Sequence, residues 1–224
     1  GVGATDMATI LMTGELWFRV PEIIEVRLEG EAPKGVFAKD VILEVLGHIK
    51  ADGAVYKAID FTGSYVDELG VSERMTICNM AVEMGAKTAY MQPNDKVLDY
   101  VRKRAVRDFE VQDTDPDFKY SESYTFDVSS LSPRLSCPHS VDNVKSIEEL
   151  IDEKIPLSQA YIGSCTGGRL KDFEVAEKLL RGKKILKYSR LVIIPASNQV
   201  LKDAMDLGYI KDLLDAGASL STPG

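Results

Sequence analysis

The sequence predicts an α/β protein whose sheets are covered by helices. Three observations carry that prediction. Short apolar or alternating runs take turns with longer stretches of helical period, first β-α-β-α-β-α and then again after a break. Glycine, proline and capping residues fall where one pattern hands over to the next. Hydrophobic residues make up 45% of the 224 positions, enough to build a core.

In chain order, Thr5 or Asp6 is placed to cap a helix through "MATILMTGELWF", which Pro21 ends. Ile23 to Gly30, "IIEVRLEG", alternates as a half-buried strand does. After the turn-forming "EAPKG" comes an amphipathic helix over Asp40 to Lys50, then a strand in "AVYKAIDFTG". Ser72 to Ala86 reads as one helix, capped by Ser72 and closed near Gly85. "KTAYMQP" is a third strand, and Asn94 opens the helix "NDKVLDYVRKRAV".

From Arg107 to Pro138 the rhythm breaks, with "DTDPDF", an alternating strand in "SYTFDVSSLSP" and turn residues at Ser132 and Pro133. The α/β pattern then resumes as a helix "SIEELIDE", a strand "LSQAYIGS", a helix "LKDFEVAEKLL", a strand "SRLVIIPAS" and one or two helices in "NQVLKDAMDLGYIKDLLDAG". Two units divided near Pro133 to His139 are expected, and "ASLSTPG" reads as a strand giving way to a turn.

Composition excludes several classes. With 27 basic against 35 acidic residues the net charge is -8, and no cationic block exists to hold a phosphate backbone, so no nucleic-acid partner is expected. No apolar run has bilayer length and no secretory signal pattern opens the chain, so a cytoplasmic protein without a membrane role is expected. The cysteines, Cys78, Cys137 and Cys165, are odd in number and widely spaced, which argues against a disulfide framework.

Cys165 lies in "YIGSCTGGRLKDFEVAEKLL", at the C-terminal end of an apolar strand and just before a helix. Open α/β sheets bind ligands in that crevice, and a helix N-terminus favours the thiolate that ligates metal or attacks carbon. A small buried cysteine is the competing reading at about even odds. Asn79 and Glu83 stand one turn apart on the predicted helix, "TICNMAVEMGA", where the pattern by itself favours a solvent face over a satisfied polar site. His48 and His139 are the only histidines. His139 and Cys137 together offer too few ligands for zinc.

These stretches resemble the aconitase superfamily. "YIGSCTGGRLKDFEVAEKLL" is similar to its first cluster-cysteine motif and "RMTICNMAVEMGAKTAY" to its Asn-x-x-x-Glu active-site helix. "FAKDVILEVLGHIKADGAVYKAIDFTG", "PHSVDNV" and "PASNQVLKDAMDLGYIKDLLDAGASLSTPG" extend the likeness along the chain, most closely to large subunits of the 3-isopropylmalate dehydratase and homoaconitase branch. The resemblance implies three-layer α/β/α units with mixed sheets. It places residues 1–20 in the tail of a first domain, 21–135 in a second domain and 136–224 in the first part of a third.

The resemblance further implies a hydro-lyase that isomerises 2-isopropylmalate and 3-isopropylmalate by dehydration and rehydration, as in leucine biosynthesis. Homoaconitase, another small hydroxy-acid hydratase, or a non-catalytic assembly domain of the same fold are the alternatives. Cys165 matches the first of three ligands to a 4Fe-4S cluster, whose open iron acts as a Lewis acid on a small di- or tricarboxylate. Asn79 and Glu83 match residues grouped around that cluster, which replaces the solvent-face reading. Thr166 would put a hydroxyl near the sulfur and Arg169 a cation near an anionic substrate.

The family usually has asparagine where this chain has Gly167. A Cys-Gly-Pro-Cys motif is expected after "STPG" and a Gly-Asp-Ser-His motif before "GVGATDM"; neither is in the sequence, nor are the family's catalytic serine and substrate-binding arginines. An internal piece of a large subunit, inactive alone and partnered by a small-subunit swivelling domain, is therefore expected.

Overall fold

The computed structural model describes residues 2–115 and 117–223; Gly1 of "GVGATD", Pro116 of "DTDPDF" and Gly224 of "STPG" lie outside them. The chain divides into two compact units, residues 1–150 and 151–224.

The first unit runs α1 (Ala4–Thr13), β1 (Ile23–Glu29), α2 (Ala38–Ile49), β2 (Ala58–Thr62), α3 (Ser64–Glu68), α4 (Val71–Met80), β3 (Thr88–Tyr90), α5 (Asp95–Arg102), β4 (Glu122–Asp127), β5 (Arg134–Ser136), β6 (Val144–Ser146) and α6 (Ile147–Leu150). Its main sheet has the order β3-β2-β1-β4, and every pairing in it is parallel. Among the described residues antiparallel pairing is confined to β5 with β6, so where the resemblance implied a mixed sheet there is a parallel one and a separate two-stranded ribbon.

Alternation in β1 sorts the two faces of this sheet. Ile24, Val26 and Leu28 are fully buried and meet Ile59 and Phe61 from β2, and α2 and α4 cover them with Val41, Ile42, Val45, Leu46 and Ile77. The opposite face is polar. There Glu25 pairs with Arg27 at 2.9 Å and accepts hydrogen bonds from Ser123 Oγ (2.6 Å) and Thr62 Oγ1 (3.0 Å). Tyr120 donates to Asp60 at 2.7 Å and Tyr90 donates to the Gln112 carbonyl at 2.6 Å. The segment between α5 and β4 is thus laid against the sheet by polar contacts.

Helix boundaries follow capping chemistry more than hydrophobic period. α1 stops at Gly14, which takes the left-handed conformation (φ 73°) and donates to the Ile10 carbonyl, seven residues before Pro21. Its N-cap is Gly3, and Asp6 acts from within the helix by accepting the Gly3 N–H at 3.0 Å. Asp40 does the same for Phe37 (2.7 Å), which starts α2 at Ala38 instead of Asp40. Gly70, not Ser72, caps α4. Asn94 caps α5 as expected, accepting the Val97 N–H at 3.1 Å. β2 is shorter than the pattern because Tyr56, with φ of 57°, turns the backbone just before it.

The sequence reading ended the first unit at residue 135. The compact unit continues to Leu150 because β5 and β6 pair with each other and pack on α2. Arg134 N–H donates to Asp40 (2.8 Å), and Ile147 N–H donates to the Pro133 carbonyl (3.0 Å).

The second unit contains β7 (Gln159–Ile162), α7 (Leu170–Leu180), β8 (Arg190–Ile193), α8 (Asn198–Asp206), α9 (Tyr209–Ala216) and β9 (Ser219–Leu220). The sheet β7-β8-β9 is parallel. Phe173, Leu191, Ile193, Ala204, Ile210 and Leu213 form its core. Gly208, at φ 80°, breaks the long C-terminal helical pattern into α8 and α9.

Candidate functional site

The predicted site residues fall into two groups, one in each unit. Asn79 and Glu83 belong to the first, on the helical arm that follows β2 and α3. The expected single helix is interrupted: α4 ends at Met80, and Ala81–Met84 form a 3₁₀ turn closed by Gly85 at φ 84°. Three residues per turn in place of 3.6 rotates Glu83 by several tens of degrees from the position a continuous helix would give it. Asn79 is half-buried at the end of α4, whereas Glu83 is exposed on the turn.

The arm is held from below. Arg74, 6% exposed, donates to the carbonyls of Val66 (2.8 Å), Leu69 (3.1 Å) and Gln92 (2.7 Å). Asn94 Nδ2 adds bonds to the Asp67 and Leu69 carbonyls, and Lys96 Nζ one to Glu68. The carbonyls at the end of α3, which lack partners within so short a helix, are thereby satisfied by side chains. Cys78 lies beside Arg74 in the interior, and burial pushes its thiol up to about 11. It is partly buried and packs against the core of the first unit.

Cys165, Thr166 and Arg169 form the second group, on the loop from β7 to α7. Cys165 is exposed and is in no disulfide. It sits beyond the carboxyl end of a parallel strand, where α/β sheets present ligand-binding groups. The loop is built around close backbone approaches. A Cβ on Gly167 would lie 2.8 Å from the Gly163 carbonyl oxygen, and one on Gly168, whose φ is 70°, only 2.2 Å from the Ile194 oxygen. Ala196 N–H donates to the Gly168 carbonyl at 2.8 Å, so the loop is stitched to the segment after β8.

Ser164 was not singled out from the sequence, yet it takes a left-handed φ of 72°, which costs a non-glycine residue energy and turns the chain at the cysteine. Its Oγ is 3.2 Å from Thr166 Oγ1 and accepts from the Thr166 N–H at 3.4 Å. A serine between glycine and cysteine was the only signal available. At the start of α7 the Arg169 N–H donates to Asp172 at 2.9 Å. The Arg169 Nε is buried and has no hydrogen-bond acceptor among the described residues, which an ordinary buried polar group would have.

The donor set decides what metal chemistry this chain can support alone. Among the described residues no three histidine, cysteine or carboxylate side chains gather to hold a metal ion. Cys78 packs against the core of the first unit and Cys137 lies between β5 and β6, so neither forms with Cys165 a set of three donors among the described residues; a four-iron cluster requires more than the one thiolate of the β7–α7 loop. His48 is also absorbed structurally, its ring set edge-on to Tyr124 and Phe126. Among the described residues no helix is long and apolar enough to cross a membrane.

Comparison with known proteins adds to this geometry. The chain is 47% identical over its whole length to a probable methanogen homoaconitase large subunit of Methanosarcina mazei, of which it spans 56%. It is also 47% identical to 3-isopropylmalate dehydratase large subunit 1 of Methanopyrus kandleri, spanning 53% of that protein. The chain therefore spans about half the length of these relatives. In fold it is similar to aconitase X of Thermococcus kodakaraensis, with a TM-score of 0.50 at 16% identity over 92% of this chain and 44% of the other. Residues 1–224 match the aconitase (aconitate hydratase) family from end to end, and this chain belongs to that family.

Proposed function

We propose that the chain is part of the large subunit of an iron-sulfur hydro-lyase that interconverts 2-isopropylmalate and 3-isopropylmalate by dehydration and rehydration. The observation that carries this reading is the β7–α7 loop. Glycines at close backbone contacts and a strained Ser164 hold an exposed Cys165 at the carboxyl end of a parallel strand, in a chain matching the family throughout. The naming of similar proteins as 3-isopropylmalate dehydratase large subunits supports the substrate class.

In this reading Cys165 is one corner of a 4Fe-4S site whose other thiolates are supplied from outside these residues. Arg169 supplies a cation near an anionic substrate, and Thr166 places a hydroxyl beside the sulfur. Asn79 and Glu83 supply an amide and a carboxylate, the roles that the family resemblance gives these positions. The naming of relatives as large subunits supports a small-subunit partner, which we take to be a swivelling domain in a cytoplasmic complex. The residues 1–20, 21–135 and 136–224 correspond in this proposal to parts of three successive family domains, with the compact division displaced to residue 150.

The test is reconstitution of the full-length large subunit with its small subunit, under anaerobic conditions with iron and sulfide. Isomerisation of 2-isopropylmalate that disappears in Cys165→Ser together with the cluster absorbance is the expected result. Activity that survives Cys165→Ser would sink the assignment. Homoaconitase is the second reading, favoured by the Methanosarcina mazei relative, and turnover of homocitrate in place of isopropylmalate would select it.

A further inference from the structure

Arg74 is a buried cation that forms no ion pair among the described residues; its guanidinium is met by three main-chain carbonyls instead. Burial lowers its pKa, with the nearby Asp67 charge opposing that shift in part, so the position costs stability that a neutral side chain would not. What the cation achieves is geometric. The carbonyls belong to three stretches, Val66 within α3, Leu69 in the link to α4 and Gln92 after β3, and one planar fork reaches all of them. α4 needs such a fastening, because its N-cap is Gly70, which has no side chain to cap with.

Asn79 stands on the same helix as Arg74, and the 3₁₀ turn with Glu83 follows that helix without a break. A helical side chain reaches about 5–6 Å from the axis, so a rotation of α4 by about 10° would carry the Asn79 amide about 1 Å. In a reacting constellation a displacement of about 1 Å can cost about 100-fold in rate. We infer that Arg74 is a positioning residue for the reaction: by clamping α3, the β3–α5 link and α4 together it fixes the rotation of α4, and with it the places of Asn79 and Glu83. The inference rests on the reading of Asn79 and Glu83 as groups of the hydro-lyase site. The Arg74 fork is occupied by carbonyls, so it acts through the helix and not on substrate.

The test compares Arg74→Met, Arg74→Lys and Val128→Ala in the full-length large subunit with its small subunit. Val128 is fully buried just after β4, at the opposite edge of the sheet from β3, so its truncation weakens the same core without touching the clamp. At a temperature where circular dichroism shows every variant folded, Arg74→Met should lower kcat about 10–100-fold and leave KM within about twofold of wild type. Arg74→Lys should fall between, and Val128→Ala should keep the wild-type kcat within about twofold. Hydrogen exchange over residues 76–84, a readout that needs no cluster, should quicken more in Arg74→Met than in Val128→Ala. Equal kcat in those two variants, or equal exchange over 76–84, would overturn the inference. Loss of the cluster absorbance in Arg74→Met would also overturn it, by placing the effect at the cluster. Should Arg74→Met not fold, the same comparison of Arg74→Lys with Val128→Ala decides. A failure of the hydro-lyase reading shows separately, as turnover that survives Cys165→Ser with Arg74 intact.

Discussion

Replacing Arg74 by methionine tests what holds the Asn79 arm. Methionine keeps most of the buried stem but removes a guanidinium that makes three bonds to backbone carbonyls. Each hydrogen bond from a charged donor contributes about 1.5–3 kcal/mol, and an acceptor left buried without any partner costs about 1–3 kcal/mol. Two of the three acceptors keep a second donor, since Val66 O still receives the Leu69 N–H and Leu69 O still receives Asn94 Nδ2. Only the Gln92 carbonyl loses its partner outright. Against this stands relief from burying a cation, which burial already disfavours by lowering the Arg74 pKa.

The net expectation is a loss of about 2–4 kcal/mol. At about 2–4 °C per kcal/mol for a chain of this size, the Tm falls by roughly 4–16 °C. Circular dichroism at 222 nm during heating reads it. Arg74→Lys, which keeps the charge and can reach one or two of the carbonyls, should fall between wild type and methionine. If Arg74→Met melts with the wild type, the carbonyl cluster does not hold this arm and the reasoning fails.

Gly168→Ala combines a left-handed φ with a Cβ 2.2 Å from the Ile194 oxygen, and should cost about 2–5 kcal/mol in urea unfolding; a neutral outcome would mean the loop is looser than described. Burial, and then the hydrogen bond to Asp60, hold the Tyr120 phenol well above the ordinary tyrosine range. The unfolded chain therefore ionises first, and stability should fall as pH rises past about 10; Tyr120→Phe should flatten part of that decline, with the rest left to Tyr65, Tyr90, Tyr124 and Cys78. An unchanged slope in Tyr120→Phe would refute the linkage. Iodoacetamide followed by mass spectrometry should label exposed Cys165 first and Cys78 slowest, since burial raises the Cys78 thiol to about 11; labelling of Cys78 ahead of Cys165 would contradict its packing against the core.

The strands and helices were legible wherever hydrophobic period and a capping residue agreed. β1, with its alternation, and α5, with Asn94 ahead of it, stand as expected. The boundaries of α1, α2 and α4 were not, because glycine took positions assigned to side-chain caps and Asp6 and Asp40 capped from inside the helix. α3 is too short for any periodicity, and its carbonyls depend on Arg74, Asn94 and Lys96 from later in the chain. The β5–β6 pair was read as a turn region, since three-residue strands give no pattern. In the site, the Cys165 loop was visible from its glycines. The 3₁₀ turn that swings Glu83 away from Asn79 was not, because four residues of AVEM suit an α-helix equally well.

Asp40 has a consequence for how the first unit opens and closes. One carboxylate oxygen accepts the Phe37 N–H at the start of α2, and the other accepts the Arg134 N–H of β5. A helix start and a strand far along the chain therefore share one residue, and neither amide can be released without weakening the other. The Phe37 and Arg134 amides should therefore exchange together in hydrogen-exchange measurements, with the β5–β6 ribbon opening alongside the first turn of α2; independent exchange of the two would contradict the coupling. Cutting the chain at 135/136 would divide that unit, whereas a cut at 150/151 would leave it whole.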